Sequence, residues 1–319
     1  MSASGGTKAI IAAFLANAGI AVTKFIAWAL SGSSSMLAEG VHSVADAGNQ
    51  LLLLVGGRKA RKQADAEHPF GYGRERYVYA FVVAIILFSV GGVFSIYEGI
   101  DKLTHPHPLE NAWVPIVVLL IAIVLESFSL RTAVKEANHV RGRQSWVQFV
   151  RRAKQPELPV VLLEDVAALL GLVLALTGVG LTILTGDNLW DGIGTIAIGV
   201  LLVAVAVILG IETKSLLVGE GANPDDHAKI LAALNNHPQV EAVIHMKTLY
   251  IGPDELLVGA KIAVPGALRA ADLATAIDAV EASVREAVPA ARVIYLEPDI
   301  YVARGENPST DAIVIRSTD

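Results

Sequence analysis

The sequence contains no cysteine. That excludes a disulfide framework, a Cys-ligated zinc site and thiol catalysis, and leaves the redox compartment open. Charge is also scarce. Asp, Glu, Lys and Arg make up 18% of the 319 residues, against about a quarter in a typical soluble domain. With 53% hydrophobic residues and a mean hydropathy of +0.53, the chain is neither disordered nor composed like an ordinary soluble enzyme. An excess of positive charge is missing as well. The net charge of −6 leaves no basic footprint for nucleic acid, so no nucleic-acid partner is expected.

What charge there is falls unevenly. Residues 1–213 hold 16 Lys+Arg and 16 Asp+Glu, whereas residues 214–319 hold 9 and 15, so the whole net charge lies in the second part. The first part carries long apolar runs and the second alternates like a soluble domain. A bilayer span needs about 20 mostly apolar residues. Six runs qualify: 8–30, 34–57, 78–103, 112–134, 158–184 and 190–212. The first has no convincing signal-cleavage site, and five more follow it. After them the pattern reads αββαβ: a helix opening at Pro224, strands either side of Gly252-Pro253-Asp254-Glu255, an amphipathic helix bearing Leu273, Ile277, Val280 and Val284 on one face, and a third strand from Arg292 to Tyr301. The expected fold class is a membrane all-α bundle of six transmembrane helices (1–213), then a C-terminal cytoplasmic α+β domain of ferredoxin-like αββαβ type (214–302) and a flexible tail (303–319).

Lysine and arginine in short loops set orientation. The 2–3 loop carries Arg58, Lys59, Arg61, Lys62, Arg74 and Arg76, and the 4–5 segment carries Lys135, Arg141, Arg143, Arg151, Arg152 and Lys154. The three loops on the other side carry Lys102 alone. This contrast places both termini in the cytoplasm.

Ionisable side chains inside a membrane are costly, and those present usually mark a pathway. In the second span Glu39, His42, Ser43, Asp46, Asn49 and Gln50 recur at helical spacing and share one face. His42 and Asp46 lie one turn apart, so an imidazole and a carboxylate can share one metal ion. The alternative is a polar stripe that bonds neighbouring helices. Glu164 and Asp165 interrupt the fifth span. Adjacent residues are about 100° apart on a helix, so both are not expected to point at one site without distortion: one should face the second span and the other meet Lys24 or a different polar group. An interfacial, snorkelling segment is the alternative there. Histidine with carboxylates makes a mixed N/O site suited to zinc, with cobalt, nickel, iron and manganese also compatible. Glu98 and Glu126 read first as helix–helix hydrogen-bonding groups, and Glu126 also as an aid to the pathway. Asp191 reads as a cap at the start of its own span. Gly192, Gly194 and Gly199 read as close helix packing.

These residues resemble the cation diffusion facilitator family of transporters over about residues 7–302. The segments Ala38-Glu39-Gly40-Val41-His42-Ser43-Val44-Ala45-Asp46 and His68-Pro69-Phe70-Gly71-Tyr72-Gly73 carry the likeness, and the run Val160–Ala168 around Glu164-Asp165 is most similar to the zinc transporter 9-like branch. With no presequence ahead of the first span, a bacterial homologue in the inner membrane is expected. The resemblance implies a transport site of two ligands on the second span and two on the fifth. His42 and Asp46 match the first pair and Asp165 matches one of the second. The remaining position falls at Val161, which cannot ligate, leaving Glu164 or a water as candidate fourth ligand. Glu39, Asn49 and Glu126 become candidates to support the ligands or carry protons. Weaker accessory sites are implied at Asp65 and His68, where Tyr72 replaces a further histidine, and at His245 and Glu297, where Tyr295 stands in place of histidine.

The implied function is efflux of a divalent cation, zinc first, by proton antiport with alternating access. The implied partners are the metal ion, protons, membrane lipid and a second copy in a homodimer, with no resident cofactor. Two other classes remain open on the residues: a metal-binding regulatory membrane protein without transport, and a membrane-embedded metalloenzyme.

Overall fold

The computed structural model describes residues 3–300, and divides the chain between Val218 and Gly219. The first unit is helical. Its long segments are α1 (Ala3–Ser31), α2 (Ser34–Lys59), α3 (Glu75–Ile86) continuing through a π-helical turn (Leu87–Val93) into α4 (Phe94–Thr104), α5 (Trp113–Arg141), α7 (Glu157–Thr185) and α8 (Leu189–Val218), with a short α6 (Trp146–Arg152). Among the described residues, four of these, Glu75–Thr104, α5, α7 and α8, are long and apolar enough to cross a membrane. α2 has 26 residues, but its polar face dilutes its apolar character. α8 runs on past Glu212 and Lys214 to Val218.

Local chemistry explains the breaks. Gly32 takes φ +66 and Gly186 φ +73, a left-handed conformation that glycine adopts without penalty. Ser33 accepts from Met36 N as the N-cap of α2. Ser145 and Gln148 form a reciprocal capping box on α6.

Asp191 corrects one expectation. It does sit in the first turn of α8, but its buried carboxylate serves α2. It accepts from Ser33 Oγ at 2.9 Å, Ser34 N at 2.8 Å and Ser35 N at 3.3 Å, so a side chain of α8 satisfies the free N–H groups that open α2. Beside it Ser34 Oγ donates to Glu98 at 3.1 Å, and Lys102 Nζ donates to Gly32 O at 2.8 Å.

Glycine brings α4 and α8 into backbone contact. A Cβ on Gly99 would fall 2.6 Å from Ile196 Cγ1, and one on Gly199 would fall 2.6 Å from Ile96 Cγ1. The buried core includes Val83, Leu87, Leu172, Ile198, Leu202 and Leu209. Large apolar side chains such as Leu120, Val124, Phe128, Val200 and Ile211 are exposed, as a lipid-facing belt requires.

The second unit contains α9 (Pro224–Asn235), β1 (Ala242–Gly252), β2 (Glu255–Ala263), α10 (Ala270–Ala287) and β3 (Ala291–Asp299). The sheet order is β1-β2-β3, with β1 and β2 antiparallel and β2 and β3 parallel. Ile230 and Leu234 of α9 and Val280 and Val284 of α10 pack with Leu256, Val258 and Ile262 of β2 in one core. The αββαβ order matches the sequence expectation. The segment 303–319, expected to be a flexible tail, lies outside the described residues.

Candidate metal centre

Helical periodicity places Glu39, His42, Ser43, Asp46, Asn49 and Gln50 along one face of α2, and the neighbouring helices meet that face in turn. From α1, Lys24 Nζ lies 2.8 Å from Glu39 Oε2 and 2.8 Å from Ser43 Oγ. From α7, Glu164 Oε1 accepts from Asn49 Nδ2 at 2.7 Å. Lys24, Glu39, His42, Asn49 and Glu164 are all buried. Burying charge is tolerated only where charges are paired or hydrogen-bonded, and Lys24 supplies that partner to Glu39.

These helices enclose a small cavity of about 30 Å³, room for about one water-sized occupant. Its walls are Asn17, Ile20 and Lys24 of α1, Ser43, Asp46 and Gln50 of α2, Glu126 and Ser129 of α5, and Val161, Glu164, Asp165 and Ala168 of α7. The cavity lies between α2 and α5, with α7 beside both. That arrangement resolves the question of the adjacent acids. Glu164 turns to Asn49 on α2 and Asp165 accepts from Ser129 Oγ of α5 at 3.0 Å; contrary to the expectation that they could not share a site, both line the same space. Lys24 meets neither; it is held by Glu39.

The face has many unpartnered polar atoms. Glu39 Oε1, both ring nitrogens of His42, Asp46 Oδ1, Asn49 Oδ1 and Gln50 Oε1 are buried without a hydrogen bond. Buried polar atoms are nearly always satisfied, and this row of lone pairs on one helix face has the donor chemistry that a cation or water could satisfy. His42 Nδ1 stands 3.5 Å from Asp46 Oδ1, in contact but not hydrogen-bonded. Its ring does not line the cavity. It lies toward the π-helical turn, where a Cβ on Gly91 would be 3.9 Å from Nδ1. Among the described residues, no three His, Asp or Glu side chains converge closely enough to hold one ion. The expected set of His42, Asp46 and Asp165 is therefore not gathered around one point in this conformation: the His42 ring touches Asp46 but does not line the cavity that Asp46 shares with Asp165.

Of the accessory residues, Asp65, His68 and Glu297 are engaged otherwise, whereas His245 Nδ1 is buried without a hydrogen bond. Asp65 accepts from Tyr72 Oη at 2.7 Å, Lys62 Nζ at 3.0 Å and His68 N at 2.8 Å. These contacts, Tyr72 foremost, hold its carboxyl well below the usual range. The His68 ring packs on Tyr72 at 4.3 Å between centroids. In the second unit, register places His245, Lys261 and Glu297 in one row across the sheet. Lys261 Nζ lies 3.1 Å from Glu297 and 2.9 Å from Asp299, so a lysine sits between the two residues that a metal would have to bridge.

Sequence reasoning missed the Lys24–Glu39 pair, Ser129, and the π-helical turn beside His42. Ser129 stands three residues after Glu126 on the same helix, a spacing that could have revealed it.

Residues 10–218 match the family model of the cation efflux transmembrane domain, and residues 222–299 match that of the cation efflux protein, cytoplasmic domain. A relative from Xenopus laevis, the proton-coupled zinc antiporter SLC30A9, mitochondrial, is 34% identical over 265 residues, 82% of this chain and 47% of its own length. Metal tolerance protein C4 of Arabidopsis thaliana is 32% identical over 80% of this chain and 56% of its own. The cation-efflux pump FieF of Klebsiella pneumoniae is 25% identical over 79% of each. The chain spans about half the length of the first of these relatives. Together with the helical bundle and the αββαβ domain, these matches establish that the chain belongs to the cation efflux, or cation diffusion facilitator, family of transporters.

Proposed function

We propose that this protein exports a divalent cation, zinc before cobalt, iron, manganese or nickel, in exchange for protons. The observation that carries this reading is the row of unpartnered buried oxygen and nitrogen atoms on α2, beside a cavity walled by Asp46, Glu126, Glu164 and Asp165. Two matched relatives are named as a proton-coupled zinc antiporter and a cation-efflux pump. His42, Asp46 and Asp165 are the ligands in this reading, with Glu164 or a water completing the set where Val161 offers nothing. His42 Nδ1 already stands 3.5 Å from Asp46 Oδ1, so gathering the set means bringing this pair on α2 toward Asp165 on α7. Glu39, Asn49 and Glu126 support the ligands or relay protons.

Exchange follows from the donor chemistry. Metal binding needs neutral histidine and ionised carboxylates, so protons and metal compete for the same groups. Alternating access then couples their opposite movements. The loop charges favour a chain with both ends in the cytoplasm, as in a bacterial inner membrane, and the C-terminal domain suits assembly into a homodimer. The boundaries that go with this are a transport unit up to about residue 213 and a cytoplasmic domain from there to about residue 302. A regulatory protein that binds metal without moving it is the second reading, favoured by the ligands' failure to converge.

Purified protein in liposomes, offered zinc, cobalt, iron, manganese and nickel in turn, separates the two. Transport predicts saturable uptake with zinc fastest. Metal binding without uptake of any of the five would favour regulation.

A further inference from the structure

Among the described residues, Lys24 is the one basic side chain in the wall of the cavity. It is 3% exposed, and it also contacts Glu39, which does not line that space. Lys24 thus links the cavity wall to a further carboxylate that does not line it. Glu39 Oε1 has no hydrogen-bond partner. It rests against α7 at Gly171, where a Cβ would fall 2.7 Å away, so α7 leaves room for a carboxylate here. Lys24 Nζ sits between Glu39 Oε2 and Ser43 Oγ, at 2.8 Å from each. An ammonium held between oxygen atoms occupies the position a metal cation would take if the lysine were absent.

We propose that Lys24 is a specificity-determining residue: a tethered cation that fills a second, oxygen-only position made by Glu39 and Ser43, and so keeps the site to a single divalent ion chosen by a mixed nitrogen and oxygen donor set. The proposal rests on the transport reading above. Its chemistry follows from donor preference. Imidazole with few carboxylates favours zinc, whereas added carboxylate and hydroxyl oxygens favour harder ions of higher coordination number such as manganese. Removal of the ammonium releases Glu39 to the cavity as a further hard donor with uncompensated charge. Arginine keeps the charge and so keeps the preference.

The test compares manganese and zinc flux into liposomes for the full chain and its variants. Lys24→Met should raise the manganese-to-zinc ratio about tenfold, which corresponds to roughly 1.4 kcal/mol of differential binding. Lys24→Arg should leave the ratio near that of wild type. The double variant Lys24→Met/Glu39→Gln, which removes both charges, should return to the wild-type ratio even if total flux falls. A merely structural lysine would lower both fluxes in proportion. Should Lys24→Met fail to fold, Glu39→Gln alone decides: its unpaired ammonium should raise the KM for zinc about tenfold by like-charge repulsion, and the double variant should reverse this. An unchanged ratio in Lys24→Met, or an unchanged KM in Glu39→Gln, overturns the proposal. Absence of flux in wild type counts against the transport reading instead. Equilibrium binding of manganese and zinc to the solubilised variants then tests Lys24 by the same ratio.

Discussion

Asn49 of α2 donates a 2.7 Å hydrogen bond to Glu164 of α7, and this contact fixes one wall of the cavity. Both residues are buried, so loss of the donor leaves a carboxylate without its partner. Asn49→Leu should cost about 1–3 kcal/mol of stability, the usual penalty for an unsatisfied buried group, and should lower metal flux. Thermal unfolding in detergent and flux in liposomes check both. Unchanged stability would show that Glu164 finds another donor.

Val161 lines the cavity at the position where the family resemblance implies a ligand. Val161→His should bring an imidazole to Asp46, Glu164 and Asp165, and should raise zinc affinity relative to manganese, since the set then approaches four protein donors. Competition binding reads this directly. No gain in zinc preference would mean that position 161 is not where the missing ligand belongs.

Asp191 holds the start of α2 through three hydrogen bonds. Asp191→Ala should destabilise the bundle by about 1–3 kcal/mol, combining lost helix capping with donors left unsatisfied. Hydrogen exchange should rise at Ser34 and Ser35. Protection unchanged at those amides would contradict the capping role.

Tyr72 is the leading cause of the low carboxyl range of Asp65. Tyr72→Phe should move that carboxyl back toward its ordinary value of about 3.9. Because the folded-state value is depressed, the stabilising contribution is fully present above the unfolded value and is lost as pH falls through the folded one. The variant should lose it at a higher pH than wild type. A carbon-detected NMR titration of Asp65 that shows no upward movement would exclude the tyrosine as cause.

The absence of cysteine makes orientation testable with single labels. Glu110→Cys and Gln144→Cys, both at exposed positions, should react with an impermeant maleimide from opposite sides, Gln144→Cys from the cytoplasm. Labelling of both from one side would overturn the topology read from the loop charges.

Much of this was legible from periodicity. The polar face of α2 follows from its spacing, because helical residues three and four apart share a side. The C-terminal domain follows from alternation around the Gly252–Glu255 turn. What escaped were relationships between helices. Nothing local to Lys24 says that it meets Glu39 rather than an acid on α7, and nothing near Asp191 says that it caps a different helix. The π-helical turn beside His42 escaped for another reason. It depends on how Gly91 and Gly92 lie against α8, where a Cβ on Gly92 would fall 2.6 Å from Val203, and single-chain spacing does not encode that fit.

The central claim, that metal and protons exchange through the face of α2, is tested most directly by loading liposomes with a pH-sensitive dye and adding zinc outside. Wild type should carry zinc in and protons out together, and an imposed proton gradient should drive zinc uphill. Asp46→Ala should abolish both movements. Zinc uptake indifferent to the proton gradient, or undiminished in Asp46→Ala, would contradict the account.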